Sequence, residues 1–237
     1  MSSLPRKRSA IAERLLDFDR LLALDQLPPK VRPAFAALWF LDLAFADIVA
    51  TTTEPTLGAI RMAWWREQLD ELEYGASTPA EPRLIAVSDE LLLRAIRGKE
   101  LSELEVAWQP LLEPFPWKGA AADGLRLRGR ILFGISARIL GGDPQETESA
   151  GALWSLVDGA RHCTDLHSRM FLLDEARRAI AELPRHKPPK FLRRLTQLAA
   201  MAAHDAIRNK PLDLPYEDSG RGMAAILHYM RGSLPRG

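Results

Sequence analysis

Three stretches of this sequence place ionisable side chains at spacings that could do chemistry. In RPAFAALWFLDLAFADIVA, at 32–50, Leu38, Asp42, Phe45 and Val49 follow one another at four, three and four residues, which sets a carboxylate inside an apolar helical stripe. Asp158, His162, Asp165 and Arg169 repeat at the same four, three and four, a polar stripe whose imidazole stands between two carboxylates, suited to carrying a proton or ligating a transition metal. That spacing serves equally well for an interhelical hydrogen-bond network or a wet helix face. In the third stretch Arg61 precedes Trp65 by one turn, placed to hold an anionic head group at the mouth of a cavity or to make a surface salt bridge. Trp65 itself belongs with Met62, Leu69 and Leu72 to a core stripe, so its neighbour Trp64 must take another face.

Other chemistries lack their signatures. The sequence carries no Walker loop, no dinucleotide fingerprint, no G-x-S-x-G elbow, no H-E-x-x-H and no paired C-x-x-C. Its one cysteine, Cys163, adjoins His162 and so lies about 100° from it around a helix, a poor arrangement for a nucleophilic dyad. Arg126, Arg128 and Arg130 alternate, cannot all share a helical face, and read as mostly solvated.

Helices must position these groups. Between prolines and glycines the apolar residues recur three and four apart, and few runs alternate as a half-buried strand would, which makes the fold all-α. Helices are expected near 9–25, 30–50, 56–74, 82–97, 102–113, 121–141, 146–163, 168–182, 188–209 and 217–231. Pro28-Pro29 and Pro55 mark helix starts, and Gly141-Gly142-Asp143-Pro144 combines a glycine stop with a turn. Ser102 followed by Glu105 fits a capping box for a helix carrying Leu104, Trp108, Leu111 and Leu112 inward. No repeat and no linker divides the chain, so a basic tail over 1–8 and one helical domain over 9–237 are expected.

The composition sets limits. With 237 residues, 47% of them hydrophobic, the chain can bury a substantial core. Lysine and arginine number 32 against 31 acids, a balance that offers no footprint for nucleic acid. The lone cysteine suits a reducing compartment and the N-terminal stretch lacks an apolar signal region, so a cytoplasmic location is expected. The longest uncharged apolar run, at 33–41, is about half of a bilayer span, which limits membrane contact to the peripheral kind.

The segment ALWFLDLAFADIVA at 37–50 aligns without a gap to the pattern A-L-Y-A-F-C-R-x-A-D-D-I-V-D, the first aspartate-rich site of the squalene/phytoene synthase family, and the chain resembles that family here. The Leu27-Pro28 turn, Arg32, the Trp64-Trp65 pair and Leu69-Asp70 extend the resemblance over roughly the first third of the chain. It implies a single-domain helical bundle of the isoprenoid synthase type. In that family two aspartates four residues apart hold magnesium against a prenyl diphosphate. Their positions are Ala46 and Ala50 here, and alanine offers a hard cation no ligand. Asp47 corresponds to the interior aspartate and points about 140° from Asp42. The second aspartate-rich site corresponds to LWSLVDGARHCTDLHSRMFLLDEA, at 153–176, which has no aspartates four apart; Asp158 and Asp165 share a face two turns distant.

The pattern E-P-x-L-G-x-I-R-x-x-W-W-R-x-x-L-D at 54–70 is similar to family members associated with assembly of respiratory complex I. The resemblance therefore implies a non-catalytic scaffold or assembly factor, with assembly partners, a prenyl or lipid-like ligand, no cofactor, and a place in the cytoplasm or at the inner-membrane surface. Arg32, Asp42, Asp47, Arg61, Trp65, Asp158, His162 and Asp165 are the candidate ligand-binding residues. A divergent prenyltransferase, which alone would need magnesium, is the alternative. The periodicity is equally compatible with an open cavity or one filled by Trp39, Trp64 or Trp154.

Overall fold

The computed structural model describes residues 17–75, 77–208 and 218–234. Among them the chain forms ten α-helices and no strand: α1 (Phe18–Gln26), α2 (Arg32–Thr51), α3 (Pro55–Glu73), α4 (Pro82–Glu90), α5 (Gly98–Trp108), α6 (Gly119–Ile139), α7 (Glu148–His162), α8 (Leu166–Ala181), α9 (Arg193–Arg208) and α10 (Ser219–Arg231). The expected start of the first helix at 9, and the 1–8 tail, lie outside the described residues.

The core helix is α7. Every residue from Ala150 to Ala160 is buried, as required of a helix surrounded by others, and α6, α8 and α9 pack around it. Its crossing with α6 is set by glycine: a Cβ on Gly129 would lie 2.1 Å from the Gly151 carbonyl oxygen, and one on Gly151 2.1 Å from that of Gly129. The two backbones touch, which brings α6 side chains directly over the α7 face. Helix α2 packs on α1, α3, α4 and α6. It is the one described helix long and apolar enough to cross a membrane, but 56% of its most apolar window is buried inside the bundle.

The expected punctuation holds at several points. Pro55 opens α3. Gly141 takes φ +80°, and the Gly142 N–H donates to the Ala137 carbonyl at 2.8 Å, closing α6 in a left-handed cap. Two expectations are corrected. The helix expected over 82–97 stops at Glu90 and continues only as a 3-10 turn, Leu92–Arg94, ended by Ala95 at φ +57°. The following helix starts at Gly98 rather than at Ser102, because only glycine lets that turn approach α3: a Cβ there would sit 2.0 Å from the Leu69 carbonyl oxygen. Ser102 thus lies within the helix and donates to Asp70 at 2.7 Å, while Glu105 pairs with Arg66.

Candidate functional site

Asp42 is fully buried, and its partners define the centre of the molecule. Arg128 on α6 grips it in a two-point fork, Nε to Oδ1 at 2.8 Å and Nη2 to Oδ2 at 2.6 Å, and the Trp108 indole N–H donates to Oδ1 at 2.9 Å. The same guanidinium reaches across to α7, donating through Nη1 to Asp158 at 2.8 Å and to Ser155 at 3.2 Å. From α1, Arg20 makes a second fork on Asp158 at 3.1 and 3.2 Å, lies 3.5 Å from Asp42, and also bonds Asp17, the N-cap of its own helix. Beneath both guanidiniums lies Trp154, 4.9 Å from Arg20 and 5.1 Å from Arg128. Trp39 stacks on Trp154 with centroids 6.1 Å apart.

The electrostatics follow from this crowding. Burial opposes ionisation of Asp158, but the Arg20 and Arg128 guanidiniums outweigh it and hold the carboxyl well below the usual range. At Asp17 the balance reverses: burial pushes the carboxyl up against the pull of Arg20, and nearby Asp158 adds to the rise.

Above this cluster opens a cavity of about 480 Å³. One wall is α2, through Leu43, Ala46, Asp47, Val49 and Ala50; the opposite wall is the end of α7, through Asp158, Gly159 and His162; Phe115 and Trp117 complete the rim. The two stretches singled out in the sequence therefore face one another. Trp39 and Trp154 lie behind the ion cluster and Trp64 is exposed, so tryptophan packing leaves the space open.

The candidate residues divide accordingly. Asp42 lies buried beneath the cavity without lining it, while Asp47, Asp158 and His162 line it; Asp47 is half exposed and held by Arg83 at 2.8 Å. Arg32 instead ties the turn between α1 and α2, donating to the Leu27 and Asp25 carbonyls. Arg61 donates to the Thr51 and Thr52 hydroxyls, fastening α2 to α3 away from the cavity, and Trp65 packs near Phe45. The single helical stripe expected from Asp158 to Arg169 is not formed. Helix α7 ends at His162, Cys163 is extended, and Asp165 caps α8 by accepting from the Ser168 N–H at 2.7 Å. His162 is left on the Asp158 carbonyl through Nδ1 at 2.9 Å. Cys163 is buried, and that burial pushes its thiol up.

Arg128 corrects the reading of the 126–130 arginines as solvated: its side chain is 1% exposed. With Asp17, Arg20 and Trp108 it belongs to the central cluster, and the sequence reading did not place it there. A signal existed, because Leu125, Arg128 and Leu132 fall at three and four, so the arginine sits in an apolar stripe just as Asp42 does.

A magnesium cluster of the family type does not fit these residues. Ala46 and Ala50 present methyl groups to the cavity, and both Asp158 oxygens are taken by guanidiniums. Among the described residues, Asp17, Asp158 and His162 bring one ligand atom each within 4.8 Å of one another, the nearest approach to a metal set at this cavity.

A second buried cluster gathers on Asp19, the neighbour of Arg20 on α1. Asp19 accepts from Arg221 at 2.6 Å and Arg161 at 3.2 Å, and Asp205 accepts from the same two arginines at 2.9 and 2.6 Å.

No curated protein and no solved structure matches the chain. Residues 15–112, which carry α1 to α5 and therefore Arg20, Asp42, Ala46, Ala50 and Trp108, match the family model described as squalene/phytoene synthase. Over that segment the chain is similar to squalene/phytoene synthases.

Proposed function

We propose that this protein is a non-catalytic squalene/phytoene synthase-like scaffold that keeps the helical cavity for an isoprenoid or lipid-like ligand and has given up prenyl transfer. The observation that carries this reading is the wall of α2: the positions where the family places its magnesium-holding aspartates are Ala46 and Ala50, and both face the cavity. Removing those oxygens removes the anchor for a diphosphate while leaving apolar surface for a hydrocarbon tail. Across the cavity Asp158 is committed to Arg20 and Arg128, so it works as an internal counter-ion. The similarity of the 54–70 segment to complex I assembly-associated members makes assembly of a respiratory complex the cellular setting we favour.

A divergent prenyltransferase draws support from one observation, the proximity of Asp17, Asp158 and His162. Incubation of the purified protein with magnesium and farnesyl or geranylgeranyl diphosphate separates the two. The scaffold reading expects no sustained pyrophosphate release; continuous release would overturn it. Organic extraction and mass spectrometry of the purified protein is expected to recover an isoprenoid or other lipid.

A further inference from the structure

The ion cluster under the cavity is unbalanced. Among the described residues, Asp17, Asp42 and Asp158 share only the guanidiniums of Arg20 and Arg128, with the His162 ring 3.6 Å from Asp158, so the carboxyl groups outnumber the guanidiniums by one. Asp47, the further carboxylate on the cavity wall, has its own partner in Arg83 and does not change the balance. The excess falls toward Asp17, which shares its one arginine with two other aspartates and lines the cavity with a side chain 12% exposed. A buried negative excess attracts a cation and repels an anion, and the low-dielectric surroundings strengthen both effects. The remaining wall is hydrocarbon from Leu43, Ala46, Val49, Leu111 and Leu125, with the Trp117 ring beside it. A volume of about 480 Å³ lies within the range that accommodates small organic ligands.

We propose that the cavity selects an amphiphilic monocation, an ammonium head seated against the Asp17 carboxylate with its hydrocarbon chain along the α2 wall, and that it excludes prenyl diphosphates. This inference rests on the reading of the cavity as a site for an apolar ligand and adds the charge of the head group. The head brings the missing positive charge, and the aromatic rim provides ring faces for its methylene or methyl groups. A diphosphate would add at least two negative charges to a site already in excess.

Three probes with one chain and different heads test it: geranylamine, geraniol and geranyl diphosphate, titrated by calorimetry into the full-length protein at neutral pH, the last with and without magnesium. Geranylamine is expected to bind at least tenfold tighter than geraniol, and geranyl diphosphate to give no measurable heat in either condition. Asp17→Asn keeps the N-cap acceptor and removes the charge; it is expected to reduce amine affinity about tenfold and leave geraniol unchanged. Ala46→Phe fills the apolar wall and is expected to weaken amine and alcohol alike. Equal affinity for amine and alcohol, or an Asp17→Asn variant that binds the amine normally, overturns the charge inference while leaving an apolar site standing. Tight diphosphate binding in either condition also overturns it. If none of the three binds, the ligand-site reading itself fails together with the inference.

Discussion

Replacing Arg128 by methionine removes a side chain of α6 that ties α2 to α7 at the centre of the fold. Its guanidinium makes four donor contacts, two to Asp42 and one each to Asp158 and Ser155, and lies 4.6 Å above the Trp108 ring. Methionine conserves most of the hydrocarbon stem, so packing changes little and the loss is electrostatic. Asp42, fully buried, would keep only the Trp108 N–H and a guanidinium 3.5 Å away on Arg20. Breaking a buried pair from one side costs about 3–5 kcal/mol. For a chain of this size each kcal/mol lowers the midpoint by about 2–4 °C, so a drop of roughly 6–20 °C is expected in calorimetry. Arg128→Lys should recover little, because a point charge cannot span Asp42 and Asp158 at once. The double variant Arg128→Met with Asp42→Leu removes both charges and is expected to regain more than half of the loss. A single-variant effect below about 1 kcal/mol, the size of an exposed pair, would refute the description of Arg128 as a buried clamp. So would strict additivity of the double variant.

Gly151→Ala drives a methyl group into the Gly129 carbonyl and must part α6 from α7; about 1–3 kcal/mol of destabilisation is expected in urea unfolding, with a matching effect for Gly129→Ala. Trp154→Ala empties the slab under both guanidiniums and should cost about 3–5 kcal/mol, whereas Trp64→Ala, at an exposed ring, should cost far less in the same assay. His228 is buried against the Thr196 hydroxyl at 2.8 Å, and burial lowers its pKa from 6.5. A depressed folded value means that the stability it contributes is complete above the unfolded pKa and is lost as pH falls through 6.5 toward the folded one, so the protection factors of the α10 amides, taken relative to the intrinsic exchange rate at each pH, should fall between about pH 7.5 and 5. Asp158, also depressed, keeps its contribution until pH falls below the ordinary carboxylate range, whereas Asp17, raised, favours the fold most below pH 3.8 and loses that contribution as pH rises through its folded value; Asp17→Asn should therefore gain stability at pH 7 relative to pH 3 in thermal melts.

The helical class was legible because an apolar residue at every third or fourth position records a buried face whatever packs on it. The α2 wall was legible for the same reason: Asp42, Ala46 and Ala50 lie on one short segment whose pattern has a family counterpart. Arg128 and Arg20 were not, since what buries them is remote. Arg128 meets Asp42 across 86 positions and Arg20 meets Asp158 across 138, and no local rule separates an arginine bound for such a partner from one bound for water. Ser102 misled because its capping pattern is local, whereas the true start at Gly98 is dictated by the backbone of α3. Asp165 misled because the 3.6 period was extended through a helix break at Cys163 that neither glycine nor proline announces.

Helix α1 is nine residues long, too short to persist alone in water, yet its adjacent Asp19 and Arg20 reach into two salt-bridged centres. It behaves as a double-ended bolt. Withdrawing it strips a counter-charge from Asp158 and from Arg221 in one motion, and because α7 carries both Asp158 and Arg161, loosening one centre registers in the other.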